Sequence, residues 1–178
     1  GQALFAFGEN QSSQTLNTRN LVNSSGVVAS DASGAGSARQ ALAGNAYGVG
    51  LGIFAYGTSN TNVSNLVNNQ GVVSADVTGV GTGRQSPGAT GYGTGLAIFA
   101  FGEAASSNFT NVSNKVSFTG VVASDTSGVG TGRNNVAAAS YGGDKGTFAY
   151  GYAPGGSVSM SNLVSNVGVV ATDVSAVG

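Results

Sequence analysis

An all-β fold made of tandem antiparallel sheets is what this sequence predicts, and three observations carry the prediction. One short unit recurs four times along the chain, the apolar residues inside it alternate with a period of two, and no stretch combines a 3.6-residue period with helix caps. Helix is therefore expected in less than about a tenth of the residues.

The repeat sets the register. LFAFG from Leu4, IFAYG from Ile53, IFAFG from Ile98 and TFAYG from Thr147 mark the four units, with central aromatics Phe5, Phe54, Phe99 and Phe148. A second marker, GVV followed by two small residues and Asp, begins at Gly26, Gly71, Gly120 and Gly168 and ends on Asp31, Asp76, Asp125 and Asp173. Arg39, Arg84 and Arg133 each follow an Asp by eight residues, and Tyr47, Tyr92 and Tyr141 follow each Arg by eight more. The repeats run approximately 1–48, 49–93, 94–142 and 143–178, the last incomplete, and form one repeat-built domain.

The elements within a unit follow in order. The aromatic strand alternates, setting Phe5 with Phe7, Phe54 with Tyr56, Phe99 with Phe101 and Phe148 with Tyr150 on one face and small residues such as Ala6 and Ala55 on the other. Such faces suit sheets that stack with bulky groups over small ones, so the row Phe5, Phe54, Phe99 and Phe148 is expected to be buried between sheets. A polar loop comes next, and all the length variation sits there: from the Gly that closes the aromatic strand to the next marker (Leu21, Leu66, Lys115, Leu163) the spacings are 13, 9, 13 and 12. Two short strands, N-L-V-like and G-V-V, then meet through a turn in which Gly supplies positive φ. After the Asp come a Gly-rich loop such as TSGVGTG and a small-residue strand such as NNVAAAS. That makes four strands per repeat.

Four strands in 45 to 49 residues is the size of a propeller blade. The order Arg84…ATGYG…AIFAFG…variable loop…NVSNKVSFTGVVASD…Arg133 resembles the Kelch repeat over nearly the whole chain, with one Gly in place of the family's Gly-Gly doublet and no Trp. The resemblance implies four-stranded antiparallel blades of a Kelch-like β-propeller, or part of one; a β-solenoid or an intertwined trimeric fibre is the alternative. The texture of the repeats is also similar to that of bacteriophage, virion and bacterial surface proteins. Both ends of the sequence fall inside a repeat, which leads to the expectation of a longer array or of a neighbouring chain against the ends.

Composition excludes several functions. The 178 residues include only 7% charged side chains, against roughly 25% in an ordinary soluble domain. A net charge of −1 with so few cations does not support binding to a phosphate backbone, so nucleic acid is not an expected partner. No apolar run reaches the roughly 18 residues of a membrane span, and none is expected to insert. His and Cys are both absent, which removes Ser-His-Asp and Cys-His catalysis, the usual zinc sites and any disulfide. The copper-radical chemistry some Kelch-like propellers support needs His and Cys, so the resemblance does not carry it here. No cofactor or metal is expected, and the chain is read as a non-enzyme.

The remaining motifs read as structure. GVGTG at Gly79 and Gly128 superficially matches a phosphate loop, but it recurs by repeat with no helix after it, which makes it a turn. Asp31, Arg39, Asp76, Arg84, Asp125, Arg133 and Asp173 are expected to be structural: each Asp accepts N–H groups in its Gly-rich turn, and each Arg bridges to it or to a neighbouring blade's carbonyls. The Tyr47, Tyr92 and Tyr141 row reads as packing. Five N-x-S/T sequons, at Asn10, Asn23, Asn62, Asn108 and Asn111, are about what chance gives in so Asn- and Ser-rich a chain.

Function is then expected in the variable loops, with Glu9, Asn10, Arg19, Asn60, Asn62, Glu103, Asn108, Phe109, Tyr152 and Pro154 as candidate binding residues. The nearly uncharged surface points to an extracellular or virion-surface appendage: a fibre, decoration or receptor-contacting protein. Its partners would be other subunits, further repeats, or a cell-surface receptor or glycan. A Kelch-type interaction adaptor is the alternative. A carbohydrate-active enzyme would need paired carboxylates, and outside the repeated Asp only Glu9, Glu103 and Asp144 remain.

Overall fold

The computed structural model describes residues 2–175; the outermost residues of the first and fourth repeats, and with them the expected contacts at Gly1 and Gly178, lie outside that description. The described chain is all-β, with two single 3₁₀ turns at Thr58–Asn60 and Ala105–Ser107. Numbered in order, the strands of the first repeat are β1 (Ala3–Glu9), β2 (Thr15–Val22) and β3 (Ala32–Ser33). The second repeat has β4 (Ala43–Tyr47), β5 (Leu51–Ala55) and β6 (Ser64–Val67). The third has β7 (Gly88–Tyr92), β8 (Leu96–Ala100), β9 (Glu103–Ala104), β10 (Asn108–Phe109) and β11 (Ser113–Val116). The fourth has β12 (Ala137–Tyr141), β13 (Lys145–Ala149), β14 (Tyr152–Ala153), β15 (Gly156–Ser157) and β16 (Ser161–Val164).

Each repeat forms one main sheet of three antiparallel strands, ordered β1-β2-β3, β4-β5-β6, β7-β8-β11 and β12-β13-β16. No four-stranded blade is formed among the described residues, and in the last three repeats the arm after the turn meets its sheet only at isolated bridges. The G-V-V arm turns back on the preceding strand through a tight loop, with Gly26, Gly71, Gly120 and Gly168 at φ between +72° and +82°. It touches that strand at single bridges, Val67↔Val73 and Ser64↔Val77 in the second repeat. Between them the chain arches over Asn65, whose amide donates to the Ser74 carbonyl (3.1 Å) and to Asp76 (2.9 Å), while the Ser74 N–H still donates to the Leu66 carbonyl at 2.8 Å. Asn114 and Asn162 do the same in the third and fourth repeats.

The strict alternation of the aromatic strand also ends early. Phe7, Tyr56, Phe101 and Tyr150 all adopt left-handed φ, between 60° and 68°, and the following Gly lies at φ from +112° to +127°. This bend turns the second aromatic out of the strand and toward the next repeat. The variable loops that follow are themselves ordered: β1 and β2 extend into a long hairpin, and β9–β10 and β14–β15 make small ones.

Consecutive sheets pack on one another. The first strands of the last three sheets form a row, β4 on β7 and β7 on β12. Rings join edge to face across each boundary: Phe7 with Phe54 at 5.6 Å, Tyr56 with Phe99 at 5.4 Å and Phe101 with Phe148 at 5.5 Å between centroids. Phe99 and Phe148 are fully buried, and Phe54 is half-buried. Phe5 departs from the expected buried row: it is 64% exposed, because no sheet among the described residues covers its face. The row of second aromatics ends likewise with Tyr150, 54% exposed. Both end faces of the described array are open.

Candidate functional site

Two arrangements repeat along the array: a buried clasp at each sheet boundary and a line of variable loops. In the clasp between the first and second repeats, Arg39 Nε donates to the Tyr56 carbonyl (2.7 Å) and Arg39 Nη2 to Asn65 Oδ1 (2.7 Å). Its guanidinium lies 4.3 Å from the centre of the Phe7 ring. Two residues earlier, Ser37 donates its hydroxyl (2.6 Å) and its N–H (3.0 Å) to Asp76. Of the two partners expected for Arg39, Asp31 of its own repeat and carbonyls of a neighbouring one, the structure has the second, the Tyr56 carbonyl, and adds a pairing at 3.9 Å with Asp76 of the next repeat. The Gly-rich loop projects from one sheet, and the acceptor carboxylate belongs to the sheet it packs on.

The pattern recurs at the later boundaries. Thr82 binds Asp125 through its hydroxyl at 2.6 Å, and Arg84 binds the Phe101 carbonyl at 2.7 Å. Thr131 binds Asp173 at 2.8 Å, Arg133 binds the Tyr150 carbonyl at 2.8 Å and Asn162 Oδ1 at 2.6 Å, and Arg133 pairs with Asp173 at 3.9 Å. The central clasp is the least satisfied. Arg84 Nη2, Asn114 Oδ1 and the Tyr56 hydroxyl are all buried without a hydrogen-bond partner, at a boundary where Tyr56 stands in place of Phe7 and Phe101. Orphaned buried groups of this kind are costly.

Electrostatics follow the geometry. Burial opposes ionisation of Asp76, but the Ser37 hydroxyl, the Asn65 amide, the Ser37 N–H and the Arg39 charge together outweigh it and hold the carboxyl below its ordinary value. Asp125 and Asp173 are shifted the same way by their own clasps. Burial lowers the pKa of Arg39, Arg84 and Arg133; Asp76 opposes it at Arg39, Asp173 at Arg133, and Tyr56 ahead of Asp125 at Arg84.

The Gly-rich loop is a packed turn. Asn62 donates to the Gly79 and Gly81 carbonyls at 3.2 Å each. A Cβ on Gly79 would overlap the Asn62 carbonyl oxygen, so the backbone approaches there too closely for any side chain. Tyr47 and Tyr92 are buried, against the hairpins at Gly120 and Gly168 respectively, whereas Tyr141 is 40% exposed.

The candidate binding residues divide into two groups. Several are engaged by the frame. Arg19 lies in β2, not in a loop, and donates to the Gly71 carbonyl of the next repeat at 2.8 Å. Asn62 holds the Gly-rich loop, and Asn60 is half-buried in a 3₁₀ turn. Asn10 Oδ1 closes its own turn by accepting from the Ser12 and Gln14 N–H groups. The Glu9 carboxylate accepts from Gln40 and Glu103 from Asn134, the latter at 2.8 Å. The second group lies at the surface and brings two repeats together: half-buried Phe109 of the third stands 6.0 Å from exposed Tyr152 of the fourth, beside exposed Asn108 and Pro154.

Sequence reasoning missed Asn65, Asn114 and Asn162, which are completely buried at the heart of each clasp, and Ser37, Thr82 and Thr131. A signal existed. An Asn stands eleven residues before every repeated Asp, and a Ser or Thr two before every repeated Arg.

Among the described residues no group of three His, Cys, Asp or Glu is placed to hold a metal ion, and no helix is long and apolar enough to cross a membrane. Comparison with known proteins matches the chain to no family model and to no curated protein. What the geometry defines is a class: a tandem-repeat, all-β array held by Arg–Asp–Asn clasps.

Proposed function

We propose that this chain is a non-catalytic, repeat-built module of an extracellular or virion-surface appendage, and that it makes contact through its variable loops. The observation that carries the reading is the aromatic pair Phe109 and Tyr152, contributed by consecutive repeats and flanked by Asn108 and Pro154. Flat, half-exposed rings held on a rigid frame suit a sugar face or an apolar protein edge. The division of labour supports it further: the repeated charged residues serve the clasps, and the loops carry the sequence differences. A glycan or a receptor on a cell surface, or another subunit of the appendage, is the partner class.

The Kelch-like resemblance adds that the array is part of a propeller. The row of first strands β4, β7 and β12 supports this, since neighbouring blades set like strands side by side. The three-stranded sheets stand against it.

Labelled protein applied to glycan arrays and to intact cells tests the reading. Binding is expected, with a loss of about tenfold or more in the Phe109→Ala/Tyr152→Ala variant, as for truncation of an aromatic anchor. Binding that is indifferent to both rings would remove the site, and an absence of surface binding together with tight capture by a cytosolic partner would favour the adaptor reading.

A further inference from the structure

The exposed face of the first repeat is built like the faces that the other three repeats keep covered. Phe5 occupies the position of Phe54, Phe99 and Phe148; Asn20 that of Asn65, Asn114 and Asn162; and Asp31 that of Asp76, Asp125 and Asp173. The half-clasp is already set, since Asn20 Nδ2 donates to Asp31 Oδ1 at 2.8 Å and to the Ala29 carbonyl at 3.1 Å. In the other repeats the same Asn–Asp pair receives a Ser/Thr-x-Arg loop from the neighbouring sheet.

Beside the half-clasp the backbone is also unmatched. β1 is paired to β2 on one side, and among the described residues no strand pairs its other edge. The aromatic strands β5, β8 and β13 each have a partner on both sides. Between that edge of β1 and the face of β4 lies a cleft of about 910 Å³, lined by Leu4, Leu21, Gly44, Leu51, Phe54 and Val67. A strand paired to β1 would lie in it on β4, as β4 lies on β7 and β7 on β12.

We infer that this face is a docking site for a further repeat of the same kind, which would insert a Ser/Thr-x-Arg loop and the small-residue strand after it. The occupant is specified by the chain itself. The segment from Thr131 to Tyr141 performs both tasks at the last boundary: Thr131 and Arg133 close the clasp on Asp173 and Asn162, and β12 pairs with β13 from Ala137↔Ala149 to Tyr141↔Lys145. The mode is strand addition with an arginine anchor, main-chain bonds giving affinity and the clasp giving register. The open edge carries no charged side chain from Ala3 to Gly8 that would repel a partner strand. The inference does not depend on what the variable loops bind.

The test uses the full chain with a second copy of residues 128–143 placed directly before Gly1, which puts the added strand in register with β1. Amide exchange across Ala3–Phe7 is expected to slow by about tenfold or more, and the melting temperature to rise. Replacing the Arg of the added segment by Ala, or Asp31→Ala in the chain, should abolish most of both effects; Asp31 is exposed, so its replacement leaves the rest of the chain folded. Exchange that is unchanged by the added segment, or slowed equally with and without its Arg, would overturn the proposal. So would concentration-dependent dimerisation of the unextended chain that protects the same amides, because the face would then belong to a second copy.

Discussion

The first and third repeats share almost the same residues at their aromatic strands and differ in what surrounds them. In β8, Ala97, Ile98, Phe99 and Ala100 are all fully buried, because a sheet packs on each face. In β1, Phe5 is 64% exposed and the flanking Leu4 and Ala6 are only half-buried. The same local sequence therefore makes the same strand in both places, but a core only in one. A repeat of this size cannot bury its own apolar surface, so its stability is largely a property of its boundaries.

The largest effect expected from that contrast lies at the rings. Phe99→Ala should lower the unfolding free energy by about 3–5 kcal/mol, the usual cost of emptying a fully buried Phe site, whereas Phe5→Ala should cost less than about 1 kcal/mol. Chemical denaturation of the two variants side by side checks this; equal losses would mean that the face of the first repeat is covered in solution.

The clasp comes next. Arg133 is completely buried, donates in two directions and lies 4.0 Å from the centre of the Phe101 ring. Lys cannot reproduce that planar fork, so Arg133→Lys should cost about 2–3 kcal/mol despite keeping the charge. Arg19→Lys, at a half-buried site with one acceptor at 2.8 Å, should fall within about 0.5 kcal/mol of the parent. Melting curves of the two variants give the comparison, and parity between them would show that the buried hydrogen bonds contribute little.

The smallest effect is on acid stability. Asp76, Asp125 and Asp173 have folded pKa values below the ordinary 3.8, so their contribution is complete above that value and is lost as the pH falls through the depressed folded values. Denaturation midpoints should therefore be nearly level from neutral pH down to about 5 and should decline below about 4. Asp125→Asn should flatten part of that fall. A midpoint that stays level to pH 2 would mean that the clasp carboxylates are not preferentially ionised in the folded state.

Much of this was legible in the chain. Period two, the lack of helix caps and the GVV turns specify short antiparallel strands, and the spacing of Asp and Arg marks both as parts of the frame. Two features were beyond a strand-by-strand reading. The left-handed bend at Phe7, Tyr56, Phe101 and Tyr150 breaks the alternation, since a period-two pattern assumes unbroken extended backbone. The fourth strand expected from the apolar G-V-V pair meets its sheet only at isolated bridges in the last three repeats, where the chain arches over Asn65, Asn114 and Asn162.

The sequence by itself determined the repeat, its strand content and the chemistry it lacks, because periodicity and composition act locally and through totals. Only the tertiary structure decided which residue closes on which. Arg39 and Asp31 are eight apart in the chain, yet Arg39 pairs with Asp76 across a sheet boundary, because each loop closes on the face of the sheet that stacks next to it. The same stacking decides why Phe99 is core and Phe5 is surface: burial depends on having a neighbour, and a residue's own sequence neighbourhood does not say whether one is there.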